Sequence, residues 1–127
     1  MKSFIDKTIK PFLVIAGLGT CGAGLLACSP QFAVEKMFKL PFAEDYTIFF
    51  QHWGLMVLLV GIFMIISAFR VSWRMPILIY SAIEKTFMVY LYFFNINHSF
   101  SAGFKGGAIM DTIIVIYLLL YFWKGDH

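Results

Sequence analysis

Four stretches of the chain are almost continuously apolar, and most polar residues fall between them. The first runs from about Pro11 to Cys28 and the second from about Tyr46 to Phe69. The third runs from Met75 to about Asn95 and the fourth from about Gly106 to Trp123. Each is close to the ~20 residues a helix needs to cross the hydrocarbon of a bilayer. Helix is the expected state, because lipid offers no partner to a free backbone N–H or C=O. From Gln31 to Pro41 the pattern changes. Ala33, Val34, Met37, Phe38 and Pro41 gather on one side, and Glu35, Lys36 and Lys39 on the other. That spacing predicts a short amphipathic helix in the membrane interface. The expected fold class is therefore an all-α membrane protein. It is a four-transmembrane-helix bundle with a short interfacial helix between the first and second spans, all in a single transmembrane domain over residues 1–127.

Local signals mark the ends. Pro11 suits a first helical position, where no amide partner is lost. Ser29-Pro30 closes the first span, Asp45 suits an N-cap for the second, and Arg70 and Arg74 bracket a tight connection to the third. Inside the first span Ala16, Gly17, Gly19, Thr20, Cys21, Gly22, Ala23 and Gly24 are all small. Ala16, Thr20 and Gly24 recur at helical spacing and form a face on which backbones approach closely in lipid. That face packs either within this bundle or against a partner helix.

Composition excludes a water-soluble domain. Hydrophobic residues make up 61 % and charged residues 13 %, against about half and about a quarter in soluble domains. So short a chain cannot hide that surplus inside itself. The formal charge is +3, and its carriers sit beside the apolar runs. Lys2, Lys7, Lys10, Arg70, Arg74 and Lys124 fall at one end of the expected bundle, against Lys36, Lys39 and Lys105 at the other. This bias predicts a multi-pass protein with both termini in the cytoplasm. No basic stripe with interleaved aromatics is present, so nucleic acid is not an expected partner. Trp73 and Trp123 are expected at the cytoplasmic interface, and Tyr46 and Trp53 at the other.

Lys2, Lys7 and Lys10 ahead of an apolar run ending Leu25-Leu26-Ala27-Cys28 have the look of a lipoprotein signal. The run is longer than the roughly 7–15 residues of a signal core, so a retained span is expected. Cys21 and Cys28 lie two helical turns apart, about 10 Å along the axis. A disulfide needs Cα atoms within about 7 Å, so both read as small packing residues.

The chemistry-bearing candidates are Gln51, His52, Tyr80, Glu84, Lys85 and Asp111. A charge near the middle of a span costs roughly 3 kcal/mol or more, so it needs a partner or a function. Lys85 lies about ten residues from the outer end of the third span, and Asp111 about five residues into the fourth. The depth difference, roughly 7 Å at 1.5 Å per residue, is within the reach of a lysine stem. An ion pair joining the third and fourth spans is expected. Glu84 points about 100° away from Lys85, toward the second span, where Gln51 and His52 lie; a link from Glu84 to His52 through a water or Gln51 is one expectation. Tyr80, Ser81 and Tyr92 offer hydroxyls nearby. These groups read either as a clasp fixing helix order or as a polar pocket lined by Glu84, His52, Tyr80, Phe87 and Tyr90. His52 and His98 lie toward one end and His127 at the other, with no His-x-x-x-His or Cys/His set. No metal and no cofactor are expected, and no catalytic residue is assigned.

The layout resembles the DoxX-like group of small four-helix bacterial membrane proteins. The resemblance is carried by the glycine-rich first span, its exit at Pro30, the interfacial segment and Gln51-His52-Trp53-Gly54. Arg70, Arg74 and Asp111 early in the fourth span complete it. It implies a bundle with a pocket between its helices and an accessory role beside redox or quinone-linked membrane enzymes. Small multidrug transporters are also four-helix chains of this length. They carry a glutamate in the first span, where this sequence has no charge.

The leading functional expectation is a non-catalytic accessory subunit of a membrane complex. The second is binding or transport of a small hydrophobic molecule in a pocket of the bundle, and the third an intramembrane oxidoreductase or isomerase. The expected partners are the lipid bilayer, neighbouring membrane subunits or a second copy, and a quinone or lipid as ligand.

Overall fold

The computed structural model describes residues 2–22 and 24–124. They fold as helices joined by short turns, and no strand occurs among the described residues. Helix α1 covers Lys2–Cys21 and α2 Gly24–Cys28, and together they form the first span. Helix α3, Pro30–Phe32, continues as a π-helical turn, Ala33–Met37. Helices α4 (Thr47–Phe69), α5 (Val71–Phe94) and α6 (Lys105–Lys124) supply the other three spans. Single 3-10 turns, Glu44–Tyr46 and Ser99–Phe104, lead into α4 and α6. The stretches Ser3–Cys28, Glu44–Phe69, Val71–Phe94 and Ser101–Lys124 are each long and apolar enough to cross a membrane. The chain is thus a multi-pass four-helix bundle.

Several boundaries differ from the sequence expectation. The first helix begins at Lys2, not near Pro11, so Pro11 lies in its interior. Proline there cannot donate to the carbonyl one turn back. The third span begins at Val71, because Arg70 alone separates it from α4. The connecting helix between the first two spans stops at Met37, short of Pro41. Lys39 adopts a left-handed conformation (φ 54°), and the Leu40 amide donates back to the Val34 carbonyl at 3.0 Å. That is a left-handed helix termination of the kind glycine usually makes. Tyr46, not Asp45, occupies the N-cap of α4, with no side-chain cap. Ala23 lies outside the described residues.

The spans pack in a ring: the first on α4, α4 on α5, α5 on α6 and α6 back on α1. Glycine permits the tightest of these contacts. A Cβ on Gly61 would stand 2.7 Å from both the Gly17 oxygen and Cys21 Sγ, and one on Gly54 would stand 2.5 Å from Leu26 Cβ. The small residues of the first span therefore serve packing within the bundle, since Ala16 and Thr20 are also buried. Cys21 and Cys28 are free thiols.

At the end where α4 turns into α5, Arg74 is buried. Its Nε donates to the Ser67 carbonyl at 2.8 Å and its Nη2 to the Ala68 carbonyl at 3.1 Å. These carbonyls belong to the last turn of α4, which has no helical donors left to meet them. The opposite edge of the ring is tied by Tyr117. Its ring stacks on Phe12 at 3.7 Å, and its hydroxyl lies 2.6 Å from Thr8 Oγ1. The core at this end comprises Ile5, Leu13, Met64, Leu78, Leu118 and Tyr121, all at most 2 % exposed.

Candidate functional site

Lys85 sits in the middle of the bundle and is 1 % exposed. Its Nζ donates to Asp111 Oδ1 at 3.0 Å and to Thr20 Oγ1 at 2.9 Å. Thr20 in turn donates to the Ala16 carbonyl at 2.8 Å. The expected pair between the third and fourth spans is present, and it gains a third member. Thr20 lies on the first span, diagonally across the ring, so one ammonium joins α1, α5 and α6. Thr20 carried no sequence signal as a polar partner, because it lies within a run of small residues that reads as packing. A buried pair is costly to desolvate and costly to break. This one has the geometry of a clasp.

Glu84, one residue earlier, turns about 100° from Lys85 around the helix. It lines a cavity of about 510 Å³ between α4 and α5, with Trp53, Val57, Val60, Tyr80, Phe87, Met88, Tyr92 and Phe104 among its neighbours. A second cavity of about 310 Å³ holds Thr20, Lys85 and Asp111. Trp53, Val57, Glu84, Met88 and Phe104 line both, so Glu84 stands on their common wall. Its Oε2 is buried and has no hydrogen-bond partner, and neither has the buried Ser81 hydroxyl beside it. The charges acting on Glu84 are those of Lys85 and Asp111. The cluster thus holds two carboxyls and one ammonium.

The six candidates divide. Glu84, Lys85 and Asp111 meet at the shared wall, and Tyr80 lines the larger cavity from its rim. Gln51 and His52 do not reach it. Both are exposed, on the same outer arc of α4 as Leu55, Met56 and Leu59, while Trp53, Gly54 and Val57 turn inward. Among the described residues no direct hydrogen bond joins Glu84 to His52 or Gln51. Phe87 and Tyr92 line the cavity as expected, but Tyr90 lies on another depression, with Leu119 and Phe122. His127 lies outside the described residues, and no cluster of potential metal ligands occurs among the described ones.

Trp53, expected at the depth of the outer interface, turns inward and packs against both Phe38 (5.9 Å between centroids) and Phe104 (6.3 Å). Phe38 and Phe104 themselves stack at 4.5 Å. All three rings border the smaller cavity and Trp53 and Phe104 also border the larger; Phe38 and Phe104 come from two connections, which no helical periodicity could pair. Met56, Tyr80, Phe87 and Leu91, at the other rim, are exposed on the outside of the bundle. The cavity is therefore open sideways, between α4 and α5, toward the surroundings of the bundle.

Comparison of the chain with protein-family models, with curated proteins and with solved structures gives no match.

Proposed function

We propose that the protein binds a small lipophilic molecule in the cavity between α4 and α5, with Glu84 as its polar anchor. One observation carries this reading: a residue whose buried carboxyl oxygen lacks a partner lines an apolar cavity of about 510 Å³. Buried polar groups are almost always hydrogen-bonded, and an orphan in a core costs roughly 1–3 kcal/mol. The side chain that carries this atom lines space a ligand can fill. The volume falls in the ~300–1,000 Å³ range of small-molecule sites, and an apolar lining with a few convergent polar groups is their usual character. Access from the side suits a molecule that first dissolves in the bilayer.

An accessory-subunit role has less support. It rested on the glycine-rich first span and the lack of catalytic motifs, and two of those glycines, Gly17 and Gly24, pack against α4. The DoxX-like layout implies both an inter-helix pocket and an accessory role, so it suits a bacterial inner membrane but does not separate the two readings. Lys7, Lys10, Arg70, Arg74 and Lys124 lie at one end of the bundle, where Lys10 caps the Phe69 ring at 4.7 Å. Their excess supports both termini in the cytoplasm.

The test is mass spectrometry of small molecules retained by the full chain after extraction in mild detergent. Wild type is compared with Val57→Trp, which fills the cavity from the α4 side. The reading predicts a molecule retained by wild type and lost from the variant. Equal retention by both, or by neither, would count against it.

A further inference from the structure

We infer that the ligand of this cavity is a lipophilic amine carrying one positive charge, an ammonium on an apolar body. The inference rests on the proposed binding role and deepens it.

The argument begins with charge. Among the described residues Lys85 is the cation acting on Glu84, and its hydrogen bonds go to Asp111 and Thr20. Asp111 therefore takes the one ammonium of the cluster, and Glu84 is left as the surplus acid. A group of this kind inside an apolar wall is balanced either by a proton or by a cation brought from outside. Glu84 lines the cavity, so its carboxyl group is where that cation would be met.

The lining argues for an amine over other lipophiles. An ammonium donates up to three hydrogen bonds, and an ionised carboxylate only accepts. Such a bond is roughly twice as strong as one between neutral groups. A quinone or ester headgroup presents acceptors, which pair with a protonated acid but not with the ionised carboxylate that an amine would meet. Aromatic faces complete the match. Trp53, Phe87, Tyr92 and Phe104 border the same space, and aromatic rings attract cations by roughly 0.5–2 kcal/mol. The apolar remainder, including Val57, Val60 and Met88, takes the body of the molecule.

The test is calorimetric titration of the full chain in detergent with two probes of nearly equal shape, 4-phenylbutylamine and the neutral 4-phenylbutanol. Wild type is expected to bind the amine about tenfold more tightly than the alcohol, the worth of one charge-assisted bond. Glu84→Gln should remove that preference and bring the two affinities together. Glu84→Asp, which keeps the charge, should retain part of it. If wild type binds the alcohol as tightly as the amine, the amine assignment fails while the cavity reading stands. If neither probe binds, the cavity reading itself fails. If Glu84→Gln keeps the amine preference, Glu84 is not the anchor. The wild-type comparison decides the ligand class even if the glutamine variant does not fold.

Discussion

Glu84 and Lys85 are adjacent in the chain and have opposite fates in the bundle. Lys85 is fully engaged, 3.0 Å from Asp111 and 2.9 Å from Thr20, whereas the Oε2 of Glu84 is buried without a partner on the wall of a cavity. The helical step of about 100° between neighbours is enough to separate them. One residue holds helices together, and the other is left available.

If Lys85 is a clasp, removing it alone should be costly and removing the pair should not. Lys85→Met leaves Asp111 buried and unpaired and is expected to lower stability by about 3–5 kcal/mol. The double variant Lys85→Met/Asp111→Leu should recover most of that loss. Unfolding of the single and double variants in one detergent gives the coupling energy directly. Additive losses would show that the two groups do not act as a pair.

The glycine contacts predict a position-specific effect. Gly61→Ala places a methyl group against the Gly17 carbonyl and the Cys21 backbone, where overpacking costs about 1–3 kcal/mol. Gly106→Ala, with nothing within 4 Å, should be neutral or gain up to about 1 kcal/mol from helix propensity. Thermal unfolding of the two variants separates a packing role from a purely conformational one.

Arg74 and Arg70 look alike in sequence and differ in the fold. Arg74 is buried and caps two carbonyls of α4, while Arg70 is exposed and lies 6.0 Å from the Trp73 ring. Arg74→Ala is expected to lower stability by about 2 kcal/mol, the scale of hydrogen bonds from a charged donor. Arg70→Ala should change it by less than about 0.5 kcal/mol. The same melting measurement checks both.

Lys39 holds a left-handed conformation that costs a non-glycine residue about 1 kcal/mol. Lys39→Gly is therefore expected to stabilise the chain by up to about that amount. A drop in melting temperature would mean that the lysine side chain contributes more than its backbone strain takes away.

The four spans were legible because a bilayer imposes one secondary structure on any long apolar run. Their order in the ring was partly legible too: Lys85 and Asp111 had to meet, and depth along the helices allowed it. What the sequence hid depends on orientation about a helix axis. α4 is apolar almost all round, so its inward arc cannot be read from periodicity. Gln51 and His52 stood out as polar residues but belong to the outer arc, and Trp53 beside them belongs to the inner one. The aromatic border of the cavities was equally hidden, because Phe38 and Phe104 come from connections with no repeating pattern. Pro11 and the early start of α1 mark a further limit. A proline that reads as a helix start can also sit inside a helix, where its effect is local.

The most direct test compares Glu84→Gln with Asp111→Asn by thermal unfolding in the same detergent. The account assigns Asp111 to the clasp and Glu84 to the ligand cavity. It predicts that Asp111→Asn lowers stability by several kcal/mol, while Glu84→Gln leaves it unchanged or raises it, since a surplus buried acid has been removed. Equal losses from the two substitutions would contradict the account, because they would make Glu84 part of the framework that holds the helices together.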